Sequence, residues 1–196
     1  MPWRNGMGVT SEIAREPSLG GEFIWRLSLA TVASSGPFSN YPGFSRSVTL
    51  IEGRGFRLDV GDREPMVLDW PGATALFPGD AASRCSLIDG PSTDLSLMVR
   101  EPGSIISVIR IQCAERLAVP LESGAMKAVF CLSGGTLVTL PQDVTTRSGT
   151  PAGISLALHD TALLRQHVTT VSLSSSPGTL IDLLLLSWKA ANPGRL

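Results

Sequence analysis

The sequence predicts an all-β protein built from a duplicated jelly-roll unit. Short apolar runs that alternate with polar residues recur along the 196 residues, whereas stretches of ten or more residues with helical periodicity are hard to find. Clusters of Gly, Pro, Asp and Ser separate these runs, as expected for tight turns. Three patterns of the first half also return in the second half in the same order, which indicates a duplicated β unit.

Eleven segments carry the strand pattern. In chain order they are 26–32, 47–51, 56–60, 73–77, 94–99, 105–113, 127–132, 136–140, 154–158, 168–173 and 180–188. Eleven short strands joined by tight turns suit a sandwich or a barrel.

The duplication is visible as three sequence echoes. Residues 47–53 match 128–134 at an offset of 81, residues 74–76 match 161–163 at 87, and residues 94–97 match 182–185 at 88. Proline and glycine interrupt the strand pattern at residues 101–104. We therefore expect an N-terminal unit over residues 1–103 and a C-terminal unit over residues 104–196, packed together as one compact body.

Composition excludes several classes of partner. The chain carries 16 basic and 17 acidic residues, so the positive surface of a nucleic-acid-binding protein is missing. The N-terminus has no basic-then-apolar signal segment, and the densest apolar run, residues 183–186, is far shorter than the roughly 20 residues that cross a bilayer. We expect a cytoplasmic protein that binds neither nucleic acid nor membranes.

Residues suited to metal binding or catalysis are sparse. The two histidines, His159 and His167, stand eight residues apart near Asp160, but on separate strands or a connecting turn. No Gly-x-Ser-x-Gly elbow is present, and the glycines of 53–55 and 134–135 suit hairpin turns better than phosphate cradles. The three scattered cysteines, at 85, 113 and 131, are expected to be buried free thiols. Neither a metal nor a cofactor is predicted.

The first third of the chain is rich in Trp, Arg, Asn, Gly and Pro, above all in segments 2–10, 25–33 and 36–46. A hydrophobic core does not require so many of these residues close together. Guanidinium groups match carboxylates and aromatic rings supply flat walls, so the composition predicts a pocket for a small polar ligand.

Alternation sorts the polar side chains of two strands. A period of two places Arg26, Ser28, Ala30 and Val32 on one face of their strand. It likewise places Asp94, Ser96, Met98 and Arg100 together. Both sets are consistent with a pocket wall or with a solvated face.

The segments named above, with 50–55, 79–80 and 94–100, resemble the HutD/Ves family of small bacterial cupin-like proteins. The resemblance is dense over residues 1 to 100 and thin afterwards. It implies a double-stranded β-helix of the cupin type, with two tandem cupin-like units forming a metal-free bicupin sandwich. For the HutD branch it also implies a role in regulating histidine utilisation, by sensing a pathway intermediate such as formylglutamate. No catalytic activity comes with the family.

The resemblance selects the candidate ligand-binding residues, because the family segments contain all of them. Three arginines are expected to anchor a carboxylate or amide, four residues to form a lid or rim, and two aspartates to orient the arginines. In that order they are Arg26, Arg46, Arg100; Trp3, Asn5, Thr10, Phe38; and Asp80, Asp94.

A plainer interpretation of the same residues stays open. Trp3 and Trp25 would then be core anchors, Arg26 would pair with Glu22 or Glu52 at the surface, and Asp80 would be a turn residue.

Two positions depart from the family pattern. Met7 stands where a third glycine is usual, and Ser96 replaces a usual asparagine. Because an amide both donates and accepts hydrogen bonds, its loss at position 96 predicts a changed ligand preference.

The leading hypothesis is a non-enzymatic protein that binds a small carboxylated or amide metabolite and adjusts histidine utilisation or a stress response. One alternative is a cupin-type isomerase or dioxygenase with an unrecognised metal site at the two histidines. Another is a protein interaction module. Long sheet edges also make a homodimer plausible.

Overall fold

The computed structural model describes residues 8–18, 20–140 and 153–190. Within these ranges the chain forms strands and turns and no helix, so the all-β prediction is confirmed. None of the described segments is a helix long and apolar enough to cross a membrane. Trp3, Asn5 and Met7, which the sequence singled out, lie outside the described residues.

The described residues form seventeen strands. The first nine are β1 (Gly8–Pro17), β2 (Phe23–Val32), β3 (Gly36–Pro37), β4 (Phe44–Glu52), β5 (Phe56–Val60), β6 (Met66–Leu68), β7 (Thr74–Pro78), β8 (Ser83–Leu87) and β9 (Ser92–Arg100). The others are β10 (Ile105–Cys113), β11 (Leu117–Pro120), β12 (Met126–Cys131), β13 (Thr136–Thr139), β14 (Gly153–Leu156), β15 (Thr161–Leu164), β16 (Thr170–Ser175) and β17 (Ile181–Lys189).

The chain divides into two compact units, the first comprising Met1–Ile106 together with Ala190–Leu196 and the second Ser107–Lys189. The first unit contains a five-stranded sheet, β1-β2-β9-β4-β7, and a four-stranded sheet, β3-β8-β5-β6. Inward side chains of both sheets form one apolar core, for example Val48 and Leu50 of β4 with Phe56 and Leu58 of β5. Burying these side chains is the main favourable term in the folding of such a sandwich.

The register of the five-stranded sheet places side chains in rows across it. Arg26 of β2, Met98 of β9, Arg46 of β4 and Phe77 of β7 stand opposite one another in four neighbouring strands. Directly opposed residues point to the same face, so these four side chains form one row. The next row carries Ser28, Ser96, Val48 and Ala75, and the one after it Ala30, Asp94 and Leu50.

The second unit has two four-stranded sheets, β10-β17-β12-β15 and β11-β16-β13-β14. Its interior is apolar and includes Val129, Cys131, Val171 and Leu183. Lys127 is fully buried at one end of β12, where its ammonium donates to the backbone carbonyls of Val168 and Gln166 at 2.7 and 3.3 Å.

The registers of the two units support the duplication and correct one of its echoes. Lys127 lies 81 residues after Arg46 and stands opposite Leu164 and Ser187. These partners lie 87 residues after Phe77 and 89 residues after Met98, the partners of Arg46. The first two echoes therefore agree with the register, but the third, at 88, is displaced by one residue. Leu183, not Asp182, occupies the position of Asp94.

Candidate functional site

Four polar side chains of the first unit lie on the face of the five-stranded sheet that is turned toward the other sheet. Arg46, Asp94, Ser96 and Ser28 are between 2 and 5% exposed, and they share a face with the core residues Val48 and Leu50. Alternation had left this face open to either a pocket or solvent. The structure places it inside the sandwich.

Arg46 lies deep in this interior among aromatic rings. Its Nη1 donates to the carbonyl oxygen of Ser39 at 3.0 Å. Its guanidinium carbon stands 4.9 Å from the ring centroid of Phe77, 5.4 Å from that of Tyr41 and 5.6 Å from that of Phe38. Burial lowers the pKa of Arg46 to about 10 against the opposing effect of Asp94, so the group stays charged at neutral pH.

Arg26 approaches Tyr41 from the neighbouring side of the row. Its Nη2 donates to the Tyr41 hydroxyl at 3.4 Å and lies 3.5 Å from the Met98 sulfur. Its guanidinium carbon lies 4.8 Å from the Phe23 ring centroid and 5.4 Å from that of Tyr41. Two cationic groups thus share one aromatic ring. We call Arg26, Arg46, Tyr41 and Met98 the arginine cradle.

Three polar atoms of this region are buried and lack a hydrogen-bond partner among the described residues: Arg26 Nε, Arg46 Nε and Ser96 Oγ. Buried polar groups in folded proteins are nearly always satisfied, because an unpaired one costs about 1–3 kcal/mol. The partner of such a donor is an ordered water or an acceptor supplied by a ligand.

Asp94 lies two rows beyond the arginine cradle on β9 and is 2% exposed. Burial raises its pKa to about 7, although Arg46 acts in the opposite direction. The free thiol of Cys85, on β8 of the facing sheet, is buried. Burial and then the nearby Asp94 raise the pKa of this thiol to about 12, so Cys85 is a neutral group.

The other predicted site residues are distributed around this interior. Thr10 of β1 stands opposite Ala30, in the row of Asp94, and Phe38 borders Arg46. Arg100 lies on the face of Met98, but its Nη2 contacts Glu22 Oε2 at 2.5 Å and its guanidinium covers Phe44. Asp80 is exposed in the turn between β7 and β8. The structure therefore brings Arg26, Arg46 and Phe38 together, with Asp94 two rows further along the same face. Arg100 lies one row away on the other side of Met98, where it is paired with Glu22, and Asp80 is at the surface.

The plainer interpretation fits only part of this arrangement. Glu22 pairs with Arg100, whereas Arg26 contacts Tyr41. Trp25 is buried and donates to Glu16 at 2.7 Å, as suits a structural anchor.

The sequence prediction missed several residues of the site, namely Phe23, Tyr41, Phe77, Cys85 and Met98. Tyr41 belongs to the aromatic segment 36–46, and Met98 shares the alternation of Asp94, so both carried a usable signal. The inward direction of Cys85 depends on the facing sheet, and the local pattern did not show it.

No metal centre is visible in the part of the chain that the structure describes, because it contains no group of three or more His, Cys, Asp or Glu side chains that could hold an ion. His159 lies in a turn and stacks on Phe130 at 5.6 Å. His167 is exposed in the connection between β15 and β16.

Tandem antiparallel sandwiches with a polar interior in one unit define a protein of the cupin-like class. A cupin 2 conserved barrel domain protein from Leptotrichia buccalis shares this fold at a TM-score of 0.55, covering 93% of this chain and 89% of that chain at 11% identity. The HutD family model matches residues 1–181, and the chain belongs to the HutD family. The resemblance found in the sequence is thereby confirmed.

Two solved structures extend the likeness over nearly the whole chain. A conserved protein of unknown function from Pseudomonas aeruginosa PAO1 is 27% identical at a TM-score of 0.79, covering 98% of this chain and 94% of that chain. HutD from Pseudomonas fluorescens SBW25, described in a formate condition, is 26% identical at a TM-score of 0.74 with the same coverage.

A further relative is named for the position of its gene. An uncharacterised 21.2 kDa protein in the hutC 3' region of Pseudomonas putida is 39% identical over 99 residues. The match covers 50% of this chain and 52% of that protein, so it spans about half the length of the relative.

Proposed function

We propose that this protein is a non-enzymatic binding protein that holds a small carboxylated metabolite in the arginine cradle and acts in the regulation of histidine utilisation. The observation that carries the proposal is the pair of guanidinium groups, Arg26 and Arg46, on one interior face with a buried unpartnered Nε on each. A planar carboxylate supplies the acceptors that such donors lack.

The charges of the site favour an anion. Arg26 and Arg46 share the Tyr41 ring, and each lowers the affinity of the interior for a further cation. The buried acid near them is Asp94, whose pKa of about 7 leaves it only partly ionised at neutral pH. The cradle thus carries a net positive charge in a poorly solvated place, where a ligand carboxylate interacts more strongly than it would in water.

The walls of the site suit a short organic chain. Phe23, Phe38, Tyr41 and Phe77 surround the guanidinium groups, and the Met98 side chain lies between them. Apolar and aromatic walls with a few convergent polar groups are typical of small-molecule sites.

Relatives suggest the metabolite class. One lies beside hutC, and the HutD of Pseudomonas fluorescens was described in a formate condition, formate being the smallest carboxylate. We propose formylglutamate or a related intermediate of histidine breakdown as the ligand. Ser96 adds only a hydroxyl to the row behind the cradle, so amide-selective recognition at that point is not expected.

The second unit offers no equivalent site in its described residues. Its interior is apolar, and Lys127, at the register position of Arg46, already donates to two carbonyl oxygens. Leu183 occupies the position of Asp94. We assign this unit a structural role.

A thermal-shift screen tests the proposal. The chelator-treated protein is heated with N-formylglutamate, urocanate, formate, glutarate or divalent metal ions. A ligand that binds only the folded state raises the melting temperature, by an amount that grows with its concentration. We expect N-formylglutamate or a close relative to do so.

Substitutions of the cradle arginines test whether the ligand that raises the melting temperature binds there. Arg26→Met and Arg46→Met keep much of the side-chain volume and remove the donors, so each should abolish the ligand-induced shift. Arg57→Met, on the exposed face of β5, is the matched control and should keep it. A shift with metal ions alone would favour an enzyme, and no shift with any compound would favour a protein partner.

A further inference from the structure

Asp94 is an unusual group to find behind a pair of arginines. It is 2% exposed, and the cation that lowers its pKa is Arg46. Among the described residues its carboxylate forms no ion pair within 4 Å, in contrast to Asp182, which accepts two hydrogen bonds from Arg110 at 2.9 and 2.7 Å. The attraction of Arg46 acts over a distance and only partly offsets the burial of the charge.

Few charged or titratable side chains lie on the interior face around Asp94. Those on the interior face are Arg26 of β2, Tyr41 of the β3–β4 connection, Arg46 of β4 and Cys85 of β8. Arg100 of β9 itself pairs with Glu22. The other charged side chains of the surrounding strands are exposed, namely Glu12, Arg15 and Glu16 of β1, Glu52 of β4 and Arg84 of β8. The inward side chains of β5 and β7 are apolar. Glu12 lies on the edge strand β1, where its Oε1 is 3.4 Å from Nε of Arg15.

A bound anion changes this balance. A ligand carboxylate on Arg26 and Arg46 neutralises the charge that partly supports the ionised form of Asp94. It also brings a second negative charge into the same poorly solvated interior. Two carboxylates that share one buried site cannot both stay ionised without a large penalty.

We infer that the arginine cradle takes up its carboxylate ligand together with one proton, which is held on Asp94. This inference rests on the proposed function and goes beyond it, because it makes the proton a second ligand of the same site. The protonated Asp94 is then a hydrogen-bond donor on the same face of β9 as Ser96, two positions away, whose hydroxyl has no partner among the described residues.

The coupling between protonation of Asp94 and ligand binding determines the direction in which the affinity changes with pH. The free protein holds Asp94 half-ionised near neutral pH, and the ligand favours its protonated form. Affinity should therefore be steady at acidic pH and weaken above about pH 7, by at most about tenfold per pH unit for one proton.

Isothermal titration calorimetry tests the inference with N-formylglutamate as the probe and sodium formate as the minimal carboxylate. Each titration is run near neutral pH in MOPS and in imidazole, whose protonation enthalpies differ. Proton uptake appears as a difference in observed heat between the two buffers. Its size gives the number of protons bound per ligand, which we expect to lie between zero and one and to vanish at acidic pH.

Asp94→Asn is the test variant, since it keeps the shape of the side chain and removes the titration. It should bind the probe with the same heat in both buffers and with an affinity that does not change across neutral pH. Asp59→Asn, which changes an acid on the outer face of β5, should behave like the wild type. If Asp94→Asn does not fold, the difference in heat between the two buffers for the wild-type protein still tests whether a proton is taken up with the ligand.

The outcomes separate the two proposals. Binding that is equal in both buffers and independent of pH overturns the proton uptake and leaves the binding function standing. Unchanged uptake in Asp94→Asn also overturns it. Absence of binding by both probes, with no thermal shift, overturns the proposed function and this inference together.

Discussion

At the scale of single residues, burial determines the chemistry of Asp94. Its side chain is enclosed in the sandwich, where the ionised form loses hydration that Arg46 only partly replaces. The pKa in the folded protein is about 7, against an ordinary value of 3.8. The folded state therefore binds a proton over a pH range in which the unfolded chain has already released it.

This difference predicts that the protein loses stability as pH rises from about 4 to about 7 through this group, and that no further loss occurs above that range. Asp94→Asn should consequently raise the melting temperature at pH values above about 7 and have little effect near pH 4. Differential scanning calorimetry across this range measures the effect. A variant destabilised equally at all pH values would show that Asp94 supports the fold by a hydrogen bond, which contradicts the prediction.

The residue scale also shows the limit of sequence reasoning at the site. Alternation correctly grouped Arg26 with Ser28, and Asp94 with Ser96 and Met98, because a strand has a period of two. Which face is the inner one depends on the position of the second sheet. The pairing of Arg100 with Glu22 depends on two strand ends that meet in space and are far apart in sequence.

At the scale of elements, all eleven predicted strands occur, because strong apolar alternation or a continuous apolar run marks each of them. The missed strands are β1, β3, β6, β8, β11 and β15. β8 contains Ser83, Arg84 and Ser86, and β1 is largely exposed, so neither has the expected composition. β3 and β6 are two and three residues long, too short to carry a pattern.

The β4–β5 hairpin confirms the predicted role of its glycines. Gly53 and Gly55 have φ values of 93° and 85°, in the region that side chains rarely adopt. A Cβ at Gly55 would lie 1.8 Å from the carbonyl oxygen of Leu68, so the backbone there would have to move.

Gly55→Ala should therefore destabilise the protein by more than the roughly 1–2 kcal/mol expected for the backbone conformation alone. Gly135→Ala is the matched control, because Gly135 has a φ of 72° and its nearest neighbour would be 4.0 Å from the new Cβ. Urea denaturation gives both free energies of unfolding. Equal losses in the two variants would mean that the contact with Leu68 has no energetic consequence.

At the scale of the whole molecule, the two units share a strand plan and differ in their interiors. The first contains the arginine cradle and Asp94, whereas the second is filled with apolar side chains around Val129, Val171 and Leu183. A net charge of −1 leaves little long-range attraction for anions. The proposed recognition of a carboxylate therefore depends on the interior of the first unit.

Amide hydrogen exchange should show ligand-induced protection in the first unit and much less in the second. With N-formylglutamate at one hundred times its Kd, the slowest amides of β2, β4 and β9 should exchange up to about a hundredfold more slowly. Amides of β12, β15 and β17 should change much less. Mass spectrometry of peptic fragments resolves the two sets, and protection centred on residues 126–131 would place the ligand in the second unit.

The one-residue displacement of the third echo bears on how the two halves diverged. In a strand, a shift of one position exchanges the two faces, so the sequence motif that points Asp94 inward points Asp182 outward, toward Arg110. A difference of one residue in the connection ahead of β17 is equivalent to this shift. The shift accounts for the apolar side chain of Leu183 at the interior position of Asp94, whereas the lysine at the position of Arg46 is a separate substitution.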